Sequence, residues 1–241
     1  MVILRLPEKR SIVKGGSACM KCKAKLKPLD LIPILSFFIL KGKCRSCKAV
    51  ISWQYPIVEF VVGALFVCSA IYYNVAGAGV SLLFIRDIVF IAALVVVFVA
   101  DLKYYLVFTS VTVPITVFAF LMNVFIFANS VNYYNVILNL VIGMVIGGGF
   151  FYLQHLMSKG KWIGGGDIYI GLMMGAMLSS SKTVLALFLS YIIGAVISVV
   201  LLSLKKKSKG GIVPFGVFLS IGTLIAMFFG SEIINWYLGL L

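Results

Sequence analysis

Acidic side chains are scarce in this chain: seven Asp and Glu stand against 21 Lys and Arg among 241 residues. Charge of either sign is sparse too, at 12% of residues, while 62% are hydrophobic. A soluble globular domain carries roughly twice that share of charge, so that class is excluded. A single histidine, His155, excludes a His-based metal centre and, without clear partners, a serine triad; its place at the end of an apolar run suits an interfacial role. No cleavable signal peptide is visible, because the first thirty residues are basic and lack an apolar core of the right length. The apolar runs do not alternate with polar residues as barrel strands of about ten residues do.

What remains is a set of continuous runs that reach the roughly 20 apolar residues needed to cross a bilayer. Backbone groups in lipid must bond within their own segment, so these runs predict helices. The expected fold is an all-α polytopic membrane protein with seven spans at 56–77, 81–100, 105–128, 134–157, 166–181, 183–204 and 212–229. The last residues, "SEIINWYLGLL", are expected as an interfacial tail. The chain is expected to divide near Tyr55 into a basic, cysteine-bearing segment, 1–55, and a membrane domain, 56–241.

The formal charge of +14 invites nucleic acid, but the basic residues gather in short loops, where they set orientation. Twelve of them lie between Arg5 and Lys48. The next loop has none; Lys103, then Lys159 and Lys161, then "KKKSKGG" mark alternate loops. Only Arg86, beside Asp87, and Lys182 fall on the poor side. Seven spans with a cytoplasmic N-terminal segment predict that alternation, and a miscount by one span would break it.

The same topology puts two aspartates at one boundary. Asp101 ends the second span and Asp167 opens the fifth, directly after Gly164, Gly165 and Gly166. An ionisable group within a span costs about 2.5–3.5 kcal/mol at the centre and less near the interface. Asp167 gains from the positive end of its own helix, but Asp101 sits at a helix C-terminus, where the dipole has the wrong sign. Two nearby carboxyls cannot both ionise easily, so one keeps its proton while the other acts as base. Such a pair can activate water and protonate a leaving amine, which hydrolyses a peptide bond. The glycines would let a substrate backbone approach Asp167. Asp87 looks like a structural or interfacial charge, and Glu59, about one turn into the first span, either lines the same cavity or bonds a neighbouring helix. Intramembrane carboxylates also suit a cation-binding transporter or assembly scaffold, although transporters place their sites near the midplane.

Cys19, Cys22, Cys44 and Cys47 form C-x2-C, 21 residues, C-x2-C. Two such hairpins fill the tetrahedral shell of a zinc ion and leave no position open for water, so the zinc would be structural. A disulfide suits a reducing compartment poorly. Cys68, mid-span, reads as a packed apolar residue. Between the hairpins, "LKPLDLIPILSFFIL" is too short to cross and reads as an amphipathic or re-entrant segment against the membrane, with Asp30 expected to cap the short helix that follows.

In order and spacing, "RLPEKRSI", "CMKC", "DLIPILSF", "KGKCRSC", "ISWQYPIVEF", "ADLKYY", "GGGDIYIGLMMGAML" and "IVPFGVFLSIG" resemble the type IV prepilin peptidase family. That resemblance implies a GxGD-type aspartic peptidase of the cytoplasmic membrane, with Asp101 and Asp167 at the positions of the catalytic pair and the four cysteines as zinc ligands. It implies prepilin or pseudopilin substrates, cut after a short basic leader at the cytoplasmic face, and in many members N-methylation of the new terminus with S-adenosylmethionine. Three departures stand out. A further transmembrane helix usually precedes "RLP" and is expected to be missing here. Phe108-Thr109 stand where Pro-Asp is frequent, and Tyr169 where lysine is. A related enzyme acting on archaeal-type preflagellins would share the aspartates without the cysteine hairpins.

Overall fold

The computed structural model describes residues 16–204 and 213–240. Of the twelve basic residues from Arg5 to Lys48, those up to and including Lys14 lie outside the described residues, as do "RLPEKRSI" and the "KKKSKGG" loop. The chain forms two compact units that meet in sequence between Gly79 and Val80. The expected divide near Tyr55 is a change of composition; the packing division falls later, so that the first span goes with the cysteine segment.

The first unit holds a 3-10 turn at Pro28–Leu31 and three helices: α1 (Leu35–Ile39), α2 (Gln54–Tyr72) and α3 (Val75–Ala78). The second holds α4 (Leu82–Tyr104), α5 (Thr109–Ile126), α6 (Tyr133–Ser158), α7 (Gly165–Leu178), α8 (Ser180–Ser203) and α9 (Phe215–Leu238). Among the described residues six helices, α2, α4, α5, α6, α8 and α9, are long and apolar enough to cross a membrane. This is a multi-pass helical membrane fold.

The expected fifth span, 166–181, is α7 (Gly165–Leu178), and it is short. Its 14 residues rise about 21 Å, less than the roughly 30 Å of a hydrocarbon core. The helix tolerates this because protein surrounds it: α5, α6, α8 and α9 all pack on it, and Ile170, Gly171 and every residue from Met173 to Leu178 are buried. Its C-terminal carbonyls therefore need protein partners. Asn123 Nδ2 donates to Ala176 O at 2.9 Å, Arg86 Nη1 donates to Asn123 Oδ1 at 2.7 Å, and Arg86 Nη2 pairs with Asp87 at 2.7 Å. The cation also suits a helix C-terminus. Arg86 and Asp87 thus serve the blunt end of α7, which agrees with a structural reading of Asp87, only 2% exposed. Arg86→Met removes the guanidinium from a buried carboxylate and is expected to cost about 3–5 kcal/mol. Thermal unfolding in detergent measures it, and an unchanged midpoint would show that the network is dispensable.

From its middle onward, α7 is held against α6 by glycine. Gly143 and Gly147 on α6 face Gly175 and Gly171 on α7, so that a Cβ built at Gly143 would lie 2.9 Å from Gly175 O. Both pairs are spaced as small-xxx-small, the pattern that lets helix backbones touch in a membrane. The last helix runs on to Leu238 rather than ending in a tail, because no glycine or proline interrupts it between Gly230 and Gly239.

Candidate active site

Asp101 and Asp167 line one cavity of about 600 Å³ in the second unit. Its walls come from the α4–α5 loop (Tyr105 to Val107), the α6–α7 loop (Trp162 to Gly164) with the first turn of α7, and the start of α9 (Val213 to Phe215). These are the alternate connections that the charge pattern assigns to one face. The bundle brings them to one end.

Asp101 lies one turn inside the C-terminus of α4, which closes as Tyr105 turns left-handed (φ +54°) and donates its amide to Asp101 O at 2.9 Å. The dipole of α4 disfavours an anion there. A different helix supplies the missing positive end: the first-turn amides of Gly216 and Val217 on α9 act on the Asp101 carboxylate. Helix N-termini favour anions in this way. Gly216 has to be glycine for this approach, since a Cβ would stand 2.9 Å from Asp101 Oδ2. Sequence reasoning missed this partner; the signal was Pro214 followed by Gly216, a helix start without a bulky side chain. Asp101 Oδ2 itself is buried and makes no hydrogen bond among the described residues.

Asp167 is the third residue of α7, with Gly164 as the N-cap. Its buried carboxyl receives the Gly164 amide and feels the charge of Asp101. The three glycines divide in role. A Cβ at Gly166 would press to 2.7 Å against Val107, whereas at Gly164 or Gly165 the nearest atoms lie 3.9 Å or farther. All three line the cavity; Gly166 also packs against Val107, and the other two leave the wall open.

Opposite stands a polar pair. Gln154 on α6 and Tyr191 on α8 bond side chain to side chain at 3.0–3.1 Å, and Tyr191 lies within electrostatic reach of Asp167. The Tyr191 ring packs 4.9 Å from Phe215 and 5.7 Å from Phe150, which ties α8 to the helix start beneath Asp101. His155, expected at the interface, braces the loop into Asp167: Nδ1 stands 3.0 Å from Ile163 O and so donates to it. Glu59 belongs to the first unit, where Oε2 accepts the Ile34 amide at 2.8 Å; the walls of the cavity come from the second unit alone.

The cysteines form a second cluster in the first unit. The Sγ atoms of Cys19, Cys22, Cys44 and Cys47 all lie within 4.8 Å of one another, with Cys19 to Cys47 at 3.9 Å. A tetrahedral ion with Zn–S near 2.3 Å requires S···S separations of about 3.8 Å, so the four thiols fit one. The two hairpins repeat each other atom for atom. Cys19 and Cys44 donate their amides to Ala24 O and Ala49 O, and accept from Lys23 and Lys48, both left-handed at φ +58°. The Cys22 and Lys21 amides hold the Cys19 thiol down to about 6. At Cys22 the Ala24 amide acts in the same direction but is outweighed by desolvation and the neighbouring thiols, which push it up to about 11. Asp30 does not cap α1. It bonds the Lys27 amide at 3.2 Å and takes Arg45 Nη2 at 2.7 Å, and Arg45 holds its carboxyl below the usual range. The second hairpin is thereby fastened to the segment between the two.

Comparison with known proteins gives a consistent set of matches. Residues 1–73 match the bacterial peptidase A24 N-terminal domain and residues 88–199 match the type IV leader peptidase family. A protein of Bacillus subtilis (strain 168) named prepilin leader peptidase/N-methyltransferase is 30% identical over 97% of this chain and 90% of its own length. Proteins of the same name from Legionella pneumophila and Pseudomonas aeruginosa are 31% and 28% identical, over 92% and 95% of this chain and 75% and 76% of their own. No solved structure matches.

Proposed function

Because this chain belongs to the type IV leader peptidase family, we propose that it is an aspartic endopeptidase of the membrane that removes the basic leader of prepilins or pseudopilins. One observation carries the chemistry: two buried carboxylates from different helices line a single cavity. One carboxylate takes a proton from water as it attacks the scissile carbonyl, and the other gives a proton to the departing amine. Asp101 Oδ2, without a hydrogen bond of its own, is the atom free to hold that water. Gly164 and Gly165 admit an extended backbone beside Asp167, and the amides at the start of α9 steady the negative charge. The positive-inside rule assigns this end, with Lys103, Lys159 and Lys161, to the cytoplasm. A basic leader joined to an apolar helix would present its junction at that depth. A cation transporter or scaffold finds no support, since the family is one of peptidases.

The four thiols would hold a structural zinc that cross-links the two hairpins, with a closed shell and no part in hydrolysis. Metal analysis of the purified chain is expected to give about one zinc per molecule, and Cys44→Ser to lose it. Four free thiols and no metal would overturn the assignment. The relatives' names include N-methyltransferase. The rings of Trp162, Tyr191 and Phe215 and the two carboxylates give the cavity chemistry that suits a purine and a sulfonium, which supports S-adenosylmethionine as its ligand; bound, it would supply a methyl group to an amine. Incubating the protein with a prepilin in detergent and sequencing the product tests both activities. The expected product begins just before the apolar helix and carries N-methyl. An uncut prepilin would reject the peptidase reading, and an unmethylated product would reject only the second activity.

A further inference from the structure

The segment between the cysteine hairpins is pinned to the first span at two places. The Trp53 ring, one residue before α2, lies 4.8 Å from that of Phe37 and 6.2 Å from that of Phe38. Six residues on, roughly 9 Å further along the helix axis, Glu59 accepts the Ile34 amide at 2.8 Å. Ile34 takes φ +62°, a conformation that a β-branched residue rarely adopts, and the carboxylate fixes the amide that this turn exposes. The short helix α1 therefore runs beside the first turns of a helix that enters the bilayer, at headgroup depth or below. Its outward side chains match that depth: Leu35 is 59%, Phe38 58% and Ile39 72% exposed. After the C-cap Leu40 come Lys41, Gly42 and Lys43. Phe37, Phe38, Val50, Trp53 and these two lysines line a cavity of about 360 Å³, which has room for a headgroup and the upper acyl carbons. The nearby carboxylates are engaged elsewhere, Asp30 by Arg45 and Glu59 by Ile34.

We propose that this cavity seats an anionic phospholipid, with its phosphate on Lys41 and Lys43 and its chains along Phe38 and Ile39. The occupant follows from position and charge. The site is continuous with the lipid-facing start of α2, tryptophan suits the headgroup layer, and each lysine near an anionic surface favours it. The lipid would hold the metal-binding segment flat on the membrane, independently of what the second unit cleaves.

The test uses the full chain in detergent with equal amounts of phosphatidylglycerol and phosphatidylcholine of matched chains, and reads retained lipid by native mass spectrometry. Phosphatidylglycerol is expected to be retained preferentially. Lys41→Ser with Lys43→Ser should reduce that preference roughly 25-fold, about fivefold per lysine, and Lys41→Arg with Lys43→Arg should keep it. Equal retention of the two lipids, or full preference in the serine variant, overturns the proposal. Displacement of the lipid by millimolar inorganic phosphate also overturns it, in favour of a free-phosphate site. A second measurement leaves the cavity unaltered. In a chain with Trp162→Phe and Trp236→Phe, spin-labelled phosphatidylglycerol should quench Trp53 more than spin-labelled phosphatidylcholine does. Equal quenching, or none because a second copy covers the face, counts against the seat.

Discussion

Replacing Asp101 or Asp167 by asparagine is expected to slow prepilin cleavage roughly a thousandfold or more while the protein still folds and inserts. Asparagine keeps the shape of the side chain and cannot accept or return the proton. At Asp101 the amide oxygen can still face the Gly216 and Val217 amides, so α9 keeps its place beside α4. At Asp167 the N-cap Gly164 is untouched. The two residues act on one water, and groups that work as a unit are strongly non-additive. The double variant is therefore expected to lose scarcely more activity than either single one. Cleavage at the normal rate by either single variant would end the dyad. Loss of activity together with a collapsed melting midpoint would instead mark the residue as structural.

The helices, the two aspartates and the cysteine quartet were legible because each rests on a local signal: apolar run length, a carboxylate at a span boundary, a repeated C-x2-C. What stayed hidden was relational. Nothing near Asp101 in sequence offsets the wrong sign of its own helix dipole; the compensation comes from α9, far along the chain. The run 166–181 is legibly short of the roughly 20 residues a span needs, but what lets so short a helix sit in the bundle is not. That follows only once Asn123 and Arg86, from two other helices, are seen at its C-terminal end. The position of Arg86 on the charge-poor side of the membrane was the trace of this arrangement. Gly166 shows the opposite limit. It lines the cavity as expected, yet a Cβ there would also press on Val107, a contact that no sequence pattern announces.

The glycine seam between α6 and α7 yields the other large effect. A Cβ at Gly171 would fall 2.6 Å from the carbonyl carbon of Gly147 and 2.8 Å from a ring carbon of Phe151. The first of these neighbours is backbone and cannot rotate away, so α6 and α7 would have to part. Overpacking a core with a few methylenes costs about 1–3 kcal/mol when side chains can yield; here the two helix axes must move. Gly171→Leu is accordingly expected to abolish accumulation of folded, monodisperse protein in detergent, and Gly171→Ala to lower the melting midpoint and cleavage together, because α7 carries Asp167. Gly149, on the same helix α6, supplies the control. A Cβ there meets nothing within 4 Å, so Gly149→Ala is expected to leave activity unchanged and to stabilise the helix by about 0.5–1 kcal/mol. If Gly149→Ala and Gly171→Ala behave alike, loss of backbone freedom rather than contact between the two helices decides the outcome, and the seam does not position Asp167.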